Sequence, residues 1–471
     1  TAMPFLPVFL WTDILIFLLL AIITAGIFYL RSKPHLRSPW VTVMQRKRGV
    51  ISIIILLSYV TIGFLDSLHF RVALDSETTE QQHYSTEVLS VLDWMVTPIR
   101  TQVEKTYSAP FATHLFVKEM QIIQGGQLEY SYPELKYSAK HLQSESEKWT
   151  DIASSVAKST AAAILLMLLI MAIYIFYRKT RYQQDIFAEL KRVIRGDSDY
   201  PIRTFYLMLF MLIWLSITLI VLSQNYHVFG TDKVGQSVLY QALKSIRTGL
   251  AIGTLTTLIM LPLAIFLGIS AGYFKGWIDD LIQYIYTTLN SIPGVLLIAA
   301  AVLMLQVYIN NHPDSFATVA ERADLRLLFL CLILGVTSWT GLCRILRGET
   351  LKLREAEYVL AARSLGVSGF NILHRHILPN LMHIVLITVV LDFSGLVLAE
   401  AVLSYVGVGV DPSMISWGNM INSARLEMAR EPVVWWSLTA AFISMFILVL
   451  AANLFADVVR DAFDPRMQKA R

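Results

Sequence analysis

Asp392 and Glu400 stand in one long apolar run, and carboxylates placed there point to transport or to buried polar contacts rather than to catalysis. A charge at the centre of a bilayer costs on the order of 3 kcal/mol, so Asp392 must face protein or water. It either lines a translocation pathway, where it would attract a cationic group, or makes a buried contact between helices. Glu400, nearer the outer end of the run, is a gate or a structural contact. Asp13 lies near the end of the first apolar run and is expected to reach the membrane interface. His374, His376 and His383 read as loop and interface groups, and the histidines at 69, 83, 114 and 141 lack metal-ligand spacing. Cys331 and Cys343 fall in one apolar run, about 18 Å apart along a helix, too far for a disulfide. The sequence has no Gly-Lys dipeptide, which excludes a Walker A phosphate loop, and no HExxH or CxxC. No catalytic residue and no metal site is assigned, so uphill transport would draw on an ion gradient or a partner.

The segment 357–380, EYVLAARSLGVSGFNILHRHILPN, is polar and sits between two apolar runs. Tyr358, Ala361, Ala362 and Leu365 share a helix face at i, i+3, i+4, i+7 spacing. Gly366 permits a turn where a side chain would obstruct close backbone approach. A second helical stretch, Phe370 to Ile377, ends at Pro379, which opens the next run. A short helix with a small-residue face, held between two spans, suits docking into a groove on another protein; the alternative is an ordinary interfacial helix-turn-helix.

The elements that position these residues are apolar. Of 471 residues, 55% are hydrophobic and 16% charged, and the net charge is only +4, which does not suggest nucleic acid. Nine runs are long enough to cross a bilayer: roughly 9–30, 50–66, 160–177, 205–222, 249–272, 284–306, 327–343, 382–405 and 434–456. The first reads as an uncleaved anchor, and Thr1 as the residue left after removal of an initiator methionine. Pro262 and Pro293 are expected to kink or break their spans. The stretch 31–49 has six Lys/Arg and no acid, 178–203 has seven and 344–381 six, whereas 67–158 has eight against twelve acids. That bias places the N-terminus outside and the C-terminus in the cytosol. The polar stretch 67–158 reads as a small extracytoplasmic domain, with helical spacing over 87–106 and 138–158, or as a tethered loop.

The segment 357–380 resembles the cytoplasmic "EAA" loop of binding-protein-dependent ABC importer permeases, in the form of the C-type subunits of dipeptide, oligopeptide and nickel importers. Glu357, Ala361, Ala362, Gly366, Arg375, His376, Ile377, Leu378, Pro379 and Asn380 carry the match, and Leu360 stands where the family usually has a glutamate. Phe229-Gly230-Thr231-Asp232 with Gly235 resembles the segment before the family's second helix, although Gln236-Ser237 replaces the usual Arg-Asp. Similar matches are Gly272-Tyr273-Phe274 with Trp277-Ile278-Asp279, Ser291-Ile292-Pro293-Gly294, Glu400-Ala401 through Gly407, Ser416 to Met420, and Arg460 to Arg466. Together they cover about 225–467; the N-terminal half departs from the pattern.

The resemblance implies an all-α polytopic membrane protein, with a type I ABC importer transmembrane core, extra N-terminal helices and an extracytoplasmic insertion. Its parts would be anchor helices at 1–66, an outer domain at 67–158, an additional hairpin at 159–224 and the permease core at 225–471. The implied protein is a permease subunit of an ATP-driven importer in a bacterial inner membrane, moving peptides by alternating access. Expected partners are a second homologous permease, two cytosolic ABC ATPase subunits and an extracytoplasmic solute-binding protein. ATP and Mg would bind to the ATPase subunits and no cofactor to this chain. The alternatives are nickel or another small solute, a secondary transporter using Asp392, and a membrane anchor or assembly factor whose active part is 67–158. A secondary transporter would show inverted repeats and further intramembrane charges, and neither is evident.

Overall fold

The computed structural model describes residues 5–32, 34–74, 83–122, 128–142, 144–182, 200–312 and 318–463. The expected basic stretch 178–203 falls largely outside them, as does the end of the C-terminal match, Asp464 to Arg466. Among the described residues nine helices are long and apolar enough to cross a membrane, one on each apolar run of the sequence.

Strand β1 (Phe5–Val8) leads into α1 (Trp11–Arg31), α2 (Pro34–Gln45) and α3 (Lys47–Asp66). The polar stretch that follows holds β2 (His69–Val72), β3 (Leu89–Ser90), α4 (Val91–Met95), α5 (Thr97–Thr101), β4 (Glu119–Ile122) and β5 (Leu128–Ser131). Helices α6 (Lys148–Tyr182) and α7 (Ile202–Ser223) form the additional hairpin. Beyond it come α8 (Val238–Phe274), α9 (Trp277–Ser291), α10 (Gly294–Asn311) and α11 (Val319–Arg354). The chain ends with α12 (Glu357–Ser364), α13 (Gly369–Ile372), a π turn at Leu373–Ile377, α14 (Leu378–Val406), α15 (Trp417–Glu427) and α16 (Trp436–Phe463).

Lipid cannot satisfy backbone polar groups, so a spanning segment must do so internally, and these do so as helices. Leu165, Leu169 and Phe176 of α6 and Leu207, Met211 and Leu215 of α7 remain uncovered, as suits helices facing hydrocarbon. Trp214 on α7 donates its indole N–H to Thr160 Oγ1 at 3.0 Å, fixing the hairpin. The centre of the molecule is the pair α8 and α11, which meet in two apolar clusters. Cys331 lies buried in one and Cys343 in the other, both as free thiols. Helix α8 runs unbroken through Pro262. Pro293 instead separates α9 from α10, so the expected span 284–306 is two helices, of which α10 is the spanning one.

In the stretch 67–158 the helical spacing is borne out only in part. Helix in 87–106 is confined to α4 and α5, and in 138–158 it begins only at Glu145. Short strands and irregular chain make up the rest of the described residues: β1 pairs antiparallel with β2, Phe5 opposite Val72, β2 pairs with β3, and β4 with β5. Tyr107, Leu115 and Leu135, which lie outside the named helices and strands, are buried nonetheless. The strand β1 precedes the first span, so pairing across sixty or more intervening residues gave no local signal.

Candidate coupling site

Helix α12 has only two residues turned inward, Val359 and Ala362, three apart on one face. They join Ile372, Ile377 and Leu381 in a cluster with Met260 of α8 and Trp339 and Leu346 of α11. The face expected from sequence therefore divides. Ala362 packs into the core, while Tyr358, Ala361 and Leu365 stay exposed. Leu365 is 84% exposed and Phe370 72%, an apolar pair at the tip of the turn.

The turn is a Schellman cap, in which Gly366 N–H donates to Arg363 O at 3.1 Å and Val367 N–H to Ala362 O at 3.1 Å. Gly366 takes φ +78°, the left-handed conformation that L side chains disfavour, and a Cβ there would meet nothing within 4 Å. Glycine serves the hand of the backbone here, and not the clearance expected from sequence.

Pro379 does not end the preceding stretch either. Helix α13, the π turn and α14 are continuous, and Pro379 sits in the first turn of α14. The Asn380 amide donates to His376 O at 2.8 Å and to the Tyr358 hydroxyl at 3.0 Å, fastening α12 to α14. Glu357 is exposed in the first turn of α12, where a negative charge suits the helix dipole. Arg375 is exposed and Leu378 half-buried.

Behind this platform Arg347 of α11 grips Asp279 of α9 through two bonds, Nε to Oδ1 at 2.6 Å and Nη2 to Oδ2 at 2.8 Å. Hydrogen bonding to Arg347 holds the Asp279 carboxyl below its usual range, against the opposing effect of burial. The spacing did not single out this pair; the available signal was an arginine carried toward the end of an apolar helix, which must find an acid.

Of the two acids in α14, Asp392 is half-buried and makes no hydrogen bond or ion pair among the described residues. Glu400 is 1% exposed, and its Oε1 accepts from Ser404 Oγ at 2.7 Å and Ser416 Oγ at 3.0 Å. Ser416 also caps α15, so Glu400 ties α14 to the start of α15.

Residues 264–469 match the family described as the binding-protein-dependent transport system inner membrane component. The chain is 32% identical over 244 residues to the glutathione transport system permease protein of Pectobacterium atrosepticum, covering 51% of this chain and 73% of that one. It is 33% identical over 245 residues to the oligopeptide transport system permease protein of Mycobacterium tuberculosis, covering 52% and 78%. The dipeptide transport system permease protein of Lactococcus lactis is 30% identical over 240 residues, 51% of this chain and 64% of that one. The chain belongs to this family. It is a permease subunit of a binding-protein-dependent ABC importer, a multi-pass protein of the inner membrane.

The permease core is fastened to the N-terminal additions by buried charges that sequence reading missed or misplaced. Asp13 does not reach an interface. It is fully buried, accepts from Arg247 Nη2 at 2.5 Å, and meets His69 Nδ1 at 2.7 Å. Arg247 also donates to Thr12 Oγ1 at 3.0 Å, and the Thr12 hydroxyl donates to Asp324 of α11. One turn away on α8, Lys244 donates to Asp66 at 3.0 Å and to Asp93 at 2.6 Å. Burial pushes the Asp93 carboxyl up, but Lys244 and a hydrogen bond from Tyr240 outweigh it and hold the group below its usual range. Lys244 and Arg247 share a helix face three residues apart, and that pair was the legible sign of a buried acidic counterpart.

The stretch 67–158 makes a third attachment. Glu104 accepts the N–H groups of Lys136 and Tyr137, each at 2.8 Å, and faces His227 Nε2 at 3.3 Å. Thr231 Oγ1 accepts from Ser108 N–H at 2.7 Å, and the Trp436 indole donates to Thr231 O at 2.9 Å. The described part of 67–158 is thus packed on the permease core rather than tethered beside it.

Proposed function

We propose that this permease subunit carries peptides through the inner membrane by alternating access, driven by a separate ABC ATPase that docks at 357–380. The observation that carries the reading is the contrast within that segment. Leu365 and Phe370 stand 84% and 72% exposed, while Val359, Ala362 and Ile372 of the same segment are buried against α8 and α11. An apolar tip rooted in the spanning helices suits a partner's groove, and displacement of the tip would be passed to α8, α11 and α14. Leu360, also exposed, supplies no carboxylate where the family usually has one, so docking here relies on apolar contact more than on an ion pair.

The named solutes of the relatives, oligopeptides, dipeptides and glutathione, support peptides as the cargo. Family membership replaces the ion-gradient reading, and Asp392 becomes a candidate pathway residue of the importer because it has no ion pair or hydrogen bond among the described residues. Glu400, held by two serines, is better suited to bracing α14 against α15. A second permease, two ATPase subunits holding ATP and Mg, and a solute-binding protein complete the assembly. The basic residues at 31–48 support placing the docking end in the cytosol and β1 and 67–158 outside.

The test is site-directed crosslinking. Leu365→Cys or Phe370→Cys, in the assembled transporter with its two native cysteines buried, should crosslink to an ATPase subunit carrying a cysteine in its groove, and the yield should change with ATP. Gly366→Trp should leave ATP hydrolysis running without uptake. Crosslinking confined to other surfaces, or normal coupled uptake by Gly366→Trp, would overturn the docking assignment.

A further inference from the structure

The end of the N-terminal helix carries a feature that neither coupling nor the pathway uses. Helix α1 leaves its apolar run at Phe28 and ends at Arg31, and α2 follows almost at once. One face of α2 is fixed to the core: Val43 is buried with Val458, Val459 and Ala462 of α16, Trp40 packs edge-on against Phe463, and Arg46 donates to Asp461 at 2.6 Å. The other face carries Arg37, Val41 and Gln45 at i, i+4, i+8, with Ser38 and Thr42 alongside. Arg31 and these five residues line a cavity of about 370 Å³.

The chemistry of the lining is one-sided. Arg31 and Arg37 make no ion pair among the described residues, and no acid occurs anywhere in 31–49. Two guanidinium groups with nearby hydroxyls and a carboxamide suit a phosphate, because the planar guanidinium can donate two bonds to one anion. Position selects the source of that phosphate. Ile27 and Phe28, exposed on the turn of α1 just before Arg31, offer apolar surface beside the cavity, and exposed Met44 adds to it on α2. A free anion has no use for such surface, whereas a phospholipid fills both parts with headgroup and acyl chains.

We infer that the cavity between α1 and α2 binds the phosphate headgroup of an anionic phospholipid, which wedges the N-terminal helix against the permease. Basic pockets at this depth, on the side that the positive-inside bias assigns to the cytosol, face a leaflet bearing anionic lipid.

The experiment uses the full chain, delipidated in detergent, and native mass spectrometry with phosphatidylglycerol, phosphatidylcholine or inorganic phosphate. Phosphatidylglycerol should be retained at least tenfold more tightly than phosphatidylcholine. Arg31→Gln/Arg37→Gln should lose that preference with its helical circular dichroism intact, and Arg31→Lys/Arg37→Lys should keep part of it. Lys47→Gln/Arg48→Gln, which changes equally exposed charges outside the cavity, should keep all of it. Equal loss in both glutamine pairs would reduce the effect to diffuse surface charge and overturn the site. Inorganic phosphate competing at the same concentration as the lipid would overturn the lipid as its occupant.

Discussion

Arg247 on α8 donates to Asp13 on α1 at 2.5 Å, and their side chains are 7% and 0% exposed. Asp324 on α11 lies 3.7 Å from the same guanidinium, so one arginine serves two acids from different helices. Removing one partner of a buried pair leaves an uncompensated charge and costs about 3–5 kcal/mol. Arg247→Met strands both acids and should lie at the upper end of that range. Asp13→Asn should cost less, since Asp324 still faces the arginine. Arg460→Gln removes an exposed pair with Asp457, 56% and 59% exposed, and should change stability by no more than about 0.5 kcal/mol. Thermal unfolding of the purified subunit orders the three. An Arg247→Met protein that melts with the parent would show that the junction does not hold α1 to the core.

The spans and the turn between helices at 357–380 were legible because both are local patterns. Apolar length marks a crossing helix wherever it occurs, and Gly366 with Pro379 delimits a turn and a helix start within a short stretch. The inward residues of α12 were harder to read, since Ala361 and Ala362 are chemically alike and only the cluster around Met260 and Trp339 selects the second of them. The junction was least legible. Asp13 and Arg247 are more than two hundred residues apart, and an acid near the end of an apolar run reads naturally as reaching water. Charge alone did not show that a strand before α1 and chain after α3 pack at that end and bury Asp13 there.

Glu104 makes the attachment of 67–158 to the permease core sensitive to pH. Burial raises its carboxyl pKa, but His227 and the N–H groups of Lys136 and Tyr137 outweigh that and leave it below the usual 4.5. A carboxyl whose folded pKa is depressed contributes stability above its unfolded pKa and loses it as pH falls through the folded value. The contribution should therefore be complete at neutral pH, begin to fall near 4.5 and vanish below the folded pKa. Glu104→Gln should flatten that acid limb and lower stability at neutral pH by about 1–3 kcal/mol, as expected when hydrogen bonds to a charged group are lost. Limited proteolysis between pH 3 and 7, scored by cleavage within 67–158, reads it out. An acid limb identical in parent and variant would assign the titration to other groups.

Arg347 and Asp279 form a two-bond pair at 2.6 and 2.8 Å, joining α9 to α11. Arg347→Lys keeps the charge but cannot make both bonds from a planar fork. It should cost about 1–2 kcal/mol in stability, and Asp279→Asn about the same, since each leaves a weaker version of the pair. The double variant Asp279→Asn/Arg347→Lys should cost less than the sum of the two, because both disturb one interaction. Additive losses in thermal unfolding would mean that the two residues act separately.

Gly366 separates backbone geometry from space. Its φ of +78° is left-handed, and an added Cβ would touch nothing within 4 Å. An L residue there costs roughly 1–2 kcal/mol by conformation alone. Asparagine tolerates the left-handed region better than alanine, and a β-branched residue worse. If the Schellman turn sets the angle at which Leu365 and Phe370 are presented, uptake should fall in the order Gly366, Gly366→Asn, Gly366→Ala, Gly366→Val. Membrane insertion should be equal throughout, because the turn lies outside the spans. Substrate-stimulated ATP hydrolysis and uptake, measured together in proteoliposomes, should diverge most for Gly366→Val. If activity instead followed side-chain volume, with alanine above asparagine, an unseen partner surface rather than the turn's handedness would govern this position.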